Sequence, residues 1–210
     1  ELVKMIVEGG HETCSHGWRW VHQFSFKEDR ERAFIQKAID SIEATTGTRP
    51  YGWLSRYLHT DITRALLAEM GFEYHMDDFS DDTPRWDVVD TPQGPKPIVI
   101  VPYALDTNDM KFWLAPGYTP AQWLEYAVDT FDRLYEEADD GAPRLMSLGL
   151  HLRIIGLIQV NTVATGVLGR ITGAVCGAEQ HIETGHLLFD LDQADTDPDS
   201  KRLPFPAEPV

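Results

Sequence analysis

The stretch Pro97-Ile98-Val99-Ile100-Val101-Pro102-Tyr103 decides the fold. It is short, wholly apolar and largely β-branched, as a strand buried on both faces of a parallel sheet has to be. Upstream, residues 28–44 put Phe34, Ile35, Ala38, Ile39 and Ile42 on one helical stripe, with Asp29, Glu31, Arg32, Gln36 and Asp40 around the rest. Thr60 is placed to cap a second helix carrying Ile62, Ala65, Leu66 and Met70, with Gly71 as its left-handed stop and a short strand at 72–74. Residues 77–97 are rich in Asp, Pro and Gly and read as a long loop. Downstream, Thr119 caps a helix with Pro120 at its first position, and Trp123, Leu124, Ala127, Val128, Phe131 and Leu134 form its buried stripe. Residues 144–152 read as another internal strand. Strands alternating with amphipathic helices mean an α/β fold with a parallel sheet, either open and doubly wound or closed as a barrel. In both, chemistry sits at the carboxyl ends of the strands, which selects the turn after Tyr103 and the surroundings of His151.

Composition narrows the function classes. The 210 residues carry 34 acidic against 18 basic side chains, a formal charge of −16. So acidic a chain lacks the clustered Lys and Arg that nucleic acid or an anionic membrane demands. Its 42% hydrophobic and 10% aromatic content is that of a globular protein. Cys14 and Cys176 have no metal-ligand spacing, so a reducing, cytoplasmic setting is the expectation. The sequence opens on Glu1 with no charged-then-apolar leader, and its most apolar run is broken by Gln159 and Asn161, so a soluble protein is expected. The last 21 residues hold six acids and four prolines and read as a solvated tail.

Several residues are candidates for chemistry. The turn Gly10-His11-Glu12-Thr13-Cys14-Ser15-His16-Gly17-Trp18-Arg19-Trp20-Val21-His22 gathers three His and two Trp, but no pair of these His has the i, i+4 or i, i+2 spacing of a simple metal site. Each reads equally as a structural or solvated His, while the nearby Trp residues suggest a pocket wall. His151 falls where an apolar strand should run out at the active face, although a satisfied core histidine has similar odds. The turn Leu105-Asp106-Thr107-Asn108-Asp109 offers two carboxylates and an amide to a polar substrate or a base, or is simply an Asx-rich turn. Asp77-Asp78-Phe79-Ser80-Asp81-Asp82 lacks the EF-hand spacing and reads as loop. No G-x-G-x-x-G, G-x-x-x-x-G-K-[ST] or G-x-S-x-G occurs, which removes the main support for dinucleotide, P-loop and α/β-hydrolase readings.

Gly10-His11-Glu12 through His16-Gly17-Trp18-Arg19-Trp20, then Thr46-Gly47-Thr48-Arg49-Pro50-Tyr51-Gly52-Trp53, resemble the NodB-homology polysaccharide deacetylases, most closely the branch of the PuuE-type metal-independent allantoinases. Tyr74-His75-Met76-Asp77, Asp81-Asp82-Thr83-Pro84-Arg85-Trp86, residues 101–109 and Ser147-Leu148-Gly149-Leu150-His151 continue the likeness in order. It spans residues 1–156 as one NodB-like domain lacking its first strand, followed by an unmatched segment at 157–189 and the tail at 190–210. The resemblance implies a distorted, incomplete (β/α) barrel that hydrolyses carbon–nitrogen bonds other than peptide bonds. In metal-dependent members an early Asp and an H-x-x-x-H pair hold the metal, and a later His is the general acid. His16 matches the first ligand and His151 the acid, but Trp20 stands where the second His belongs, so no metal site is expected.

The reading that follows is a metal-independent hydrolase of a cyclic ureide such as allantoin, with no cofactor. His151 supplies the acid–base group. Asp106 orients it or the water. His16, Trp18, Trp53, Arg56 and Asn108 wall the substrate pocket, with Arg56 the donor to a developing oxyanion. The alternatives are a metal-dependent N-deacetylase of chitin-like or other N-acetylated polysaccharide, carrying Zn or a similar ion, and an inactive fragment. The expected partner is a small-molecule or sugar substrate, with neither nucleic acid nor membrane, and homo-oligomerisation is left open.

Overall fold

The computed structural model describes residues 2–115, 117–139 and 144–155. The readings for 157–189 and for the tail at 190–210 lie outside the described residues. In chain order come α1 (Leu2–Glu8), α2 (Glu28–Thr46), β1 (Gly52–Trp53), α3 (Thr63–Glu69), β2 (Tyr74–His75), β3 (Arg85–Thr91), β4 (Gly94–Ile100), a 3₁₀ turn (Asp109–Phe112), α4 (Pro120–Asp139) and α5 (Leu152–Ile155).

Four strands make one sheet in the order β1-β2-β4-β3, with β1, β2 and β4 parallel and β3 antiparallel to β4. Tyr74 stands opposite Gly52 and Val99, and His75 opposite Trp53 and Ile100. Upstream of β1, Ser15 forms a parallel bridge with Trp53. The sheet is open among the described residues, as expected of an incomplete barrel.

The loop expected at 77–97 is instead largely a hairpin, with β3 and β4 paired from Arg85↔Ile100 to Thr91↔Gly94. Pro95 and Pro97 concealed it, because proline cannot donate to a ladder. In β4 the odd-numbered residues face β2: Val99 N–H donates to Glu73 and Val101 N–H to His75. β2 pairs only as far as Val99, so the two prolines give up donors that no neighbouring strand would take. The strand expected at 144–152 is also absent. Residues 144–150 are instead tied by single hydrogen bonds, Leu145 N–H to the Asp82 carbonyl and Asp109 N–H to the Gly149 carbonyl, with no continuous ladder.

The helices follow their sequence signals. α2 ends at Gly47, whose φ of 76° lies in the left-handed region and whose N–H donates to the Glu43 carbonyl. Thr119 and Gln122 close a reciprocal cap at the start of α4: the Thr119 hydroxyl accepts from Gln122 N–H and the Gln122 amide oxygen accepts from Thr119 N–H. Phe34, Ile35, Ala38 and Ile39 of α2 meet Trp53, Leu66, Leu67, Phe72, Ile98 and Ile100 in the main core. Glu31, assigned by periodicity to the polar face, is fully buried. Its carboxylate accepts from Gln23, Thr60 and Thr63, so the charge enters the interior with partners.

Gly52 sits so close to Tyr74 that any Cβ would run into the phenol ring. Gly52→Ala should therefore destabilise the protein by more than a surface substitution does, and Ile98→Ala, which empties a fully buried position, should cost about 2–5 kcal/mol. Urea unfolding checks both values.

Candidate active site

His151 ends the 144–150 segment, and Asp109 opens the 3₁₀ turn after the Tyr103 loop. Asp109 is fully buried, and both its oxygens meet the same residue: Oδ2 accepts from His151 N–H at 2.7 Å and Oδ1 lies 2.6 Å from His151 Nδ1. A carboxylate can only accept, so the ring proton sits on Nδ1 and the lone pair on Nε2. The His151 side chain keeps 17% of its surface exposed, so the ring is neither sealed in the core nor fully solvated. The imidazole is held in one tautomer by an anchored carboxylate, a geometry that can serve proton transfer.

The sequence assigned the orienting carboxylate to Asp106, and the geometry corrects this. Asp106 accepts from the Tyr126 hydroxyl at 2.6 Å on the surface, and that hydrogen bond raises the Tyr126 phenol to about 12. The residue that meets His151 lies three positions later. Asn108 is a scaffold residue: its amide oxygen caps the 3₁₀ turn through Met110 N–H, and its amide nitrogen donates to the Tyr103 hydroxyl. Gly149 fits against this pair, since a Cβ there would strike both Asn108 and Tyr103.

Two of the proposed wall residues also have other places. Trp53 is fully buried in the main core, its indole N–H donating to Ser55 Oγ. Trp18 packs on the same core and carries Arg19 and Lys37 over its ring. His16 lies beside the Ser15 bridge with Nδ1 2.6 Å from the Leu54 carbonyl, which puts its ring proton on Nδ1. His16, Trp18 and Trp20 line a cavity of about 90 Å³ bounded also by Ile6 of α1 and Ala38 and Ile42 of α2. Neither His151 nor Arg56 lines it, so this hollow is set apart from the acid–base pair. Arg56 does reach the Trp-rich turn, stacking 3.8 Å from the centre of the Trp20 ring and donating to the Trp20 carbonyl.

A third constellation was not anticipated. His59, His75 and Asp77 bring one donor atom each to within 4.8 Å of the others, at the carboxyl ends of β1 and β2. His75 and Asp77 are fully buried side chains, 2.6 Å apart from Nε2 to Oδ2, and Asp77 Oδ1 accepts from Ser55 N–H. The signal was present in the sequence, because His75 and Asp77 are spaced i, i+2 on a strand and so share a face. Burial by itself raises the Asp77 carboxyl, but the hydrogen bonds from His75 and Ser55 outweigh it and hold the group below its ordinary range. Burial also lowers His59, against the opposing pull of the Asp77 carboxylate.

The residues present do not fit the catalytic metal of metal-dependent deacetylases. His16 has the ligand tautomer, but Trp20 supplies no lone pair where a second imidazole is needed, and a catalytic Zn takes about three protein ligands. At the His59–His75–Asp77 cluster, Arg64 Nε–H points at His75 Nδ1, so the His75 proton is on Nε2 and is given to Asp77. Ligation would break that hydrogen bond and turn two N–H groups toward each other.

A sequence profile described as "Polysaccharide deacetylase" matches residues 1–75. A Schizosaccharomyces pombe protein named "Putative polysaccharide deacetylase" is 33% identical over 171 residues, 74% of this chain and 52% of that protein. The crystal structure of PuuE allantoinase superposes with a TM-score of 0.73 at 38% identity, covering 85% of this chain and 57% of the other. A Pseudomonas aeruginosa PAO1 structure titled "probable Polysaccharide deacetylase" gives the same 0.73, 38%, 85% and 57%. The chain spans about half the length of the yeast relative. It shares the NodB-type α/β fold of these proteins. No helix among the described residues is long and apolar enough to cross a membrane.

Below the strand ends, Asp78 pairs with Arg85 at 2.5 Å. Burial raises this carboxyl, yet the hydrogen bonds from Arg85 and Ser80 win and bring it down to about 2. A depressed folded-state value means stability that is complete above the unfolded value of about 4 and is lost as the pH falls toward 2. Asp78→Asn should flatten the stability profile across that acid window, measurable by denaturant unfolding at a series of pH values.

Proposed function

We propose, from the kinship of this chain with the polysaccharide deacetylase family, that it hydrolyses a carbon–nitrogen bond in a cyclic ureide such as allantoin, without a resident metal. The observation that carries the proposal is the grip of Asp109 on His151. With its proton fixed on Nδ1, His151 presents a basic Nε2 on a partly exposed ring. Nε2 takes a proton from water as the oxygen attacks the ring carbonyl carbon. Charge gathers on the carbonyl oxygen, and the imidazolium formed is stabilised by Asp109. When the carbon–nitrogen bond breaks, Nε2 returns the proton to the departing nitrogen, so one water is consumed and the base is regenerated. Arg56, whose guanidinium is fixed on Trp20, is the donor proposed for the developing oxyanion.

This reading agrees with the likeness to PuuE allantoinase and with the misfit of a metal at Trp20. Purified protein should turn over allantoin with EDTA present, and His151→Ala should lower kcat by about 10²–10⁴-fold. Asp109→Asn, which can donate to Nδ1 and so favours the wrong tautomer, should fall in the same range. Equal rates for wild type and His151→Ala would remove the assignment, and loss of all turnover on chelation would return the chain to metal-dependent deacetylation.

A further inference from the structure

The sequence places Asn108 at the substrate, yet only 7% of the residue is exposed and both ends of its amide are engaged by the protein. The Met110 N–H needs an acceptor, so the amide oxygen lies on that side, 2.8 Å away, and the amide nitrogen is left facing Tyr103. There it donates to the phenol oxygen at 2.7 Å. Tyr103 stands where the chain leaves β4, and its own N–H donates at 2.9 Å to the Asp78 carbonyl beyond the end of β2. The amide therefore ties the sheet to the turn that begins at Asp109. Gly149 closes the third side. Its carbonyl accepts from Asp109 N–H, and it lies two residues before His151. A Cβ on Gly149 would overlap both the Asn108 amide and the Tyr103 hydroxyl, so the amide rests directly on the backbone of the segment that carries His151.

We infer that Asn108 is a positioning residue, which acts through Asp109 to keep the ring proton of His151 on Nδ1. The inference rests on the reading of His151 as the acid–base group and deepens it. Asp109 meets His151 at 2.6 Å from Nδ1 and 2.7 Å from the backbone N–H, and a carboxylate selects one tautomer only while these contacts stay short and aligned. Asn108 precedes Asp109 in the chain, so a shift of its amide moves the carboxylate as well. Capping the turn uses the amide oxygen alone. The bond from the amide nitrogen to Tyr103 and the gap at Gly149 serve a second purpose, fixing the turn against the His151 segment.

Three variants separate positioning from capping. Tyr103→Phe removes the phenol oxygen and leaves the Met110 cap intact. Asn108→Ser keeps a hydroxyl for the cap but is too short to reach Tyr103 as well. Gly149→Ala drives a methyl group into the amide. In nitrogen-15 NMR of the full chain, the neutral His151 ring should favour Nδ1–H over Nε2–H by about 10–100 to 1 in the wild type, as one charge-assisted hydrogen bond implies. Each variant should lower that ratio at least about threefold while still melting cooperatively. In the allantoin assay kcat should fall while KM stays within about twofold. An unchanged tautomer ratio in Tyr103→Phe, or a raised KM at constant kcat in Asn108→Ser, would overturn the inference. Should Asn108→Ser or Gly149→Ala fail to fold, Tyr103→Phe decides it, since its turn keeps the cap. No substrate enters the tautomer measurement, so its result and that of the allantoin assay stand apart.

Discussion

Two hydrogen bonds from one residue to one carboxylate organise the candidate site. Asp109 accepts from both the backbone and the ring of His151, and it is fully buried while doing so. A buried carboxylate is tolerable only with such partners, so the interaction is as much a condition of folding as of chemistry. It also joins segments far apart in sequence. The 3₁₀ turn at Asp109–Phe112 is fixed to residues 144–150 by Asp109 N–H on the Gly149 carbonyl, and Thr107 and Ala104 add bonds to Ser147. Where a continuous strand ladder is absent, these polar ties place His151.

The same economy recurs at the neighbouring strand ends. Glu31 is buried beneath Thr60 and Thr63, and Asp77 is held between His75 and Ser55 N–H. Each buried acid spans two or more elements and is answered by donors that leave it ionised or hydrogen-bonded. The apolar core formed by α2, α3 and the sheet supplies the burial energy, and the acids fix how the loops at its edge are arranged.

Much of this was legible in the sequence, for physical reasons that also explain what was not. Helical stripes, the left-handed Gly47, the reciprocal cap at Thr119 and the apolar run ending at Ile100 are local signals, and local chemistry determines them. The hairpin was hidden because prolines normally veto a strand, and only the short reach of β2 makes Pro95 and Pro97 acceptable. His151 was picked out because a strand was expected to end there; residues 144–150 form no strand, and the residue is placed instead by its hydrogen bonds to Asp109. Its partner was mistaken, since Asp106 and Asp109 share one turn and differ only in which way the backbone aims each carboxylate. Trp53 was read as a pocket wall because aromatic clustering near His looks the same in a core as in a cleft.

The central claim is that His151 carries its ring proton on Nδ1 and offers Nε2 to the reaction. Nitrogen-15 NMR of the imidazole in the full chain, assigned by comparison with His151→Ala, reads this directly. The account predicts a protonated, pyrrole-like Nδ1 and a pyridine-like Nε2 in the neutral ring, with both signatures displaced in Asp109→Asn. A neutral ring protonated on Nε2 instead would contradict it.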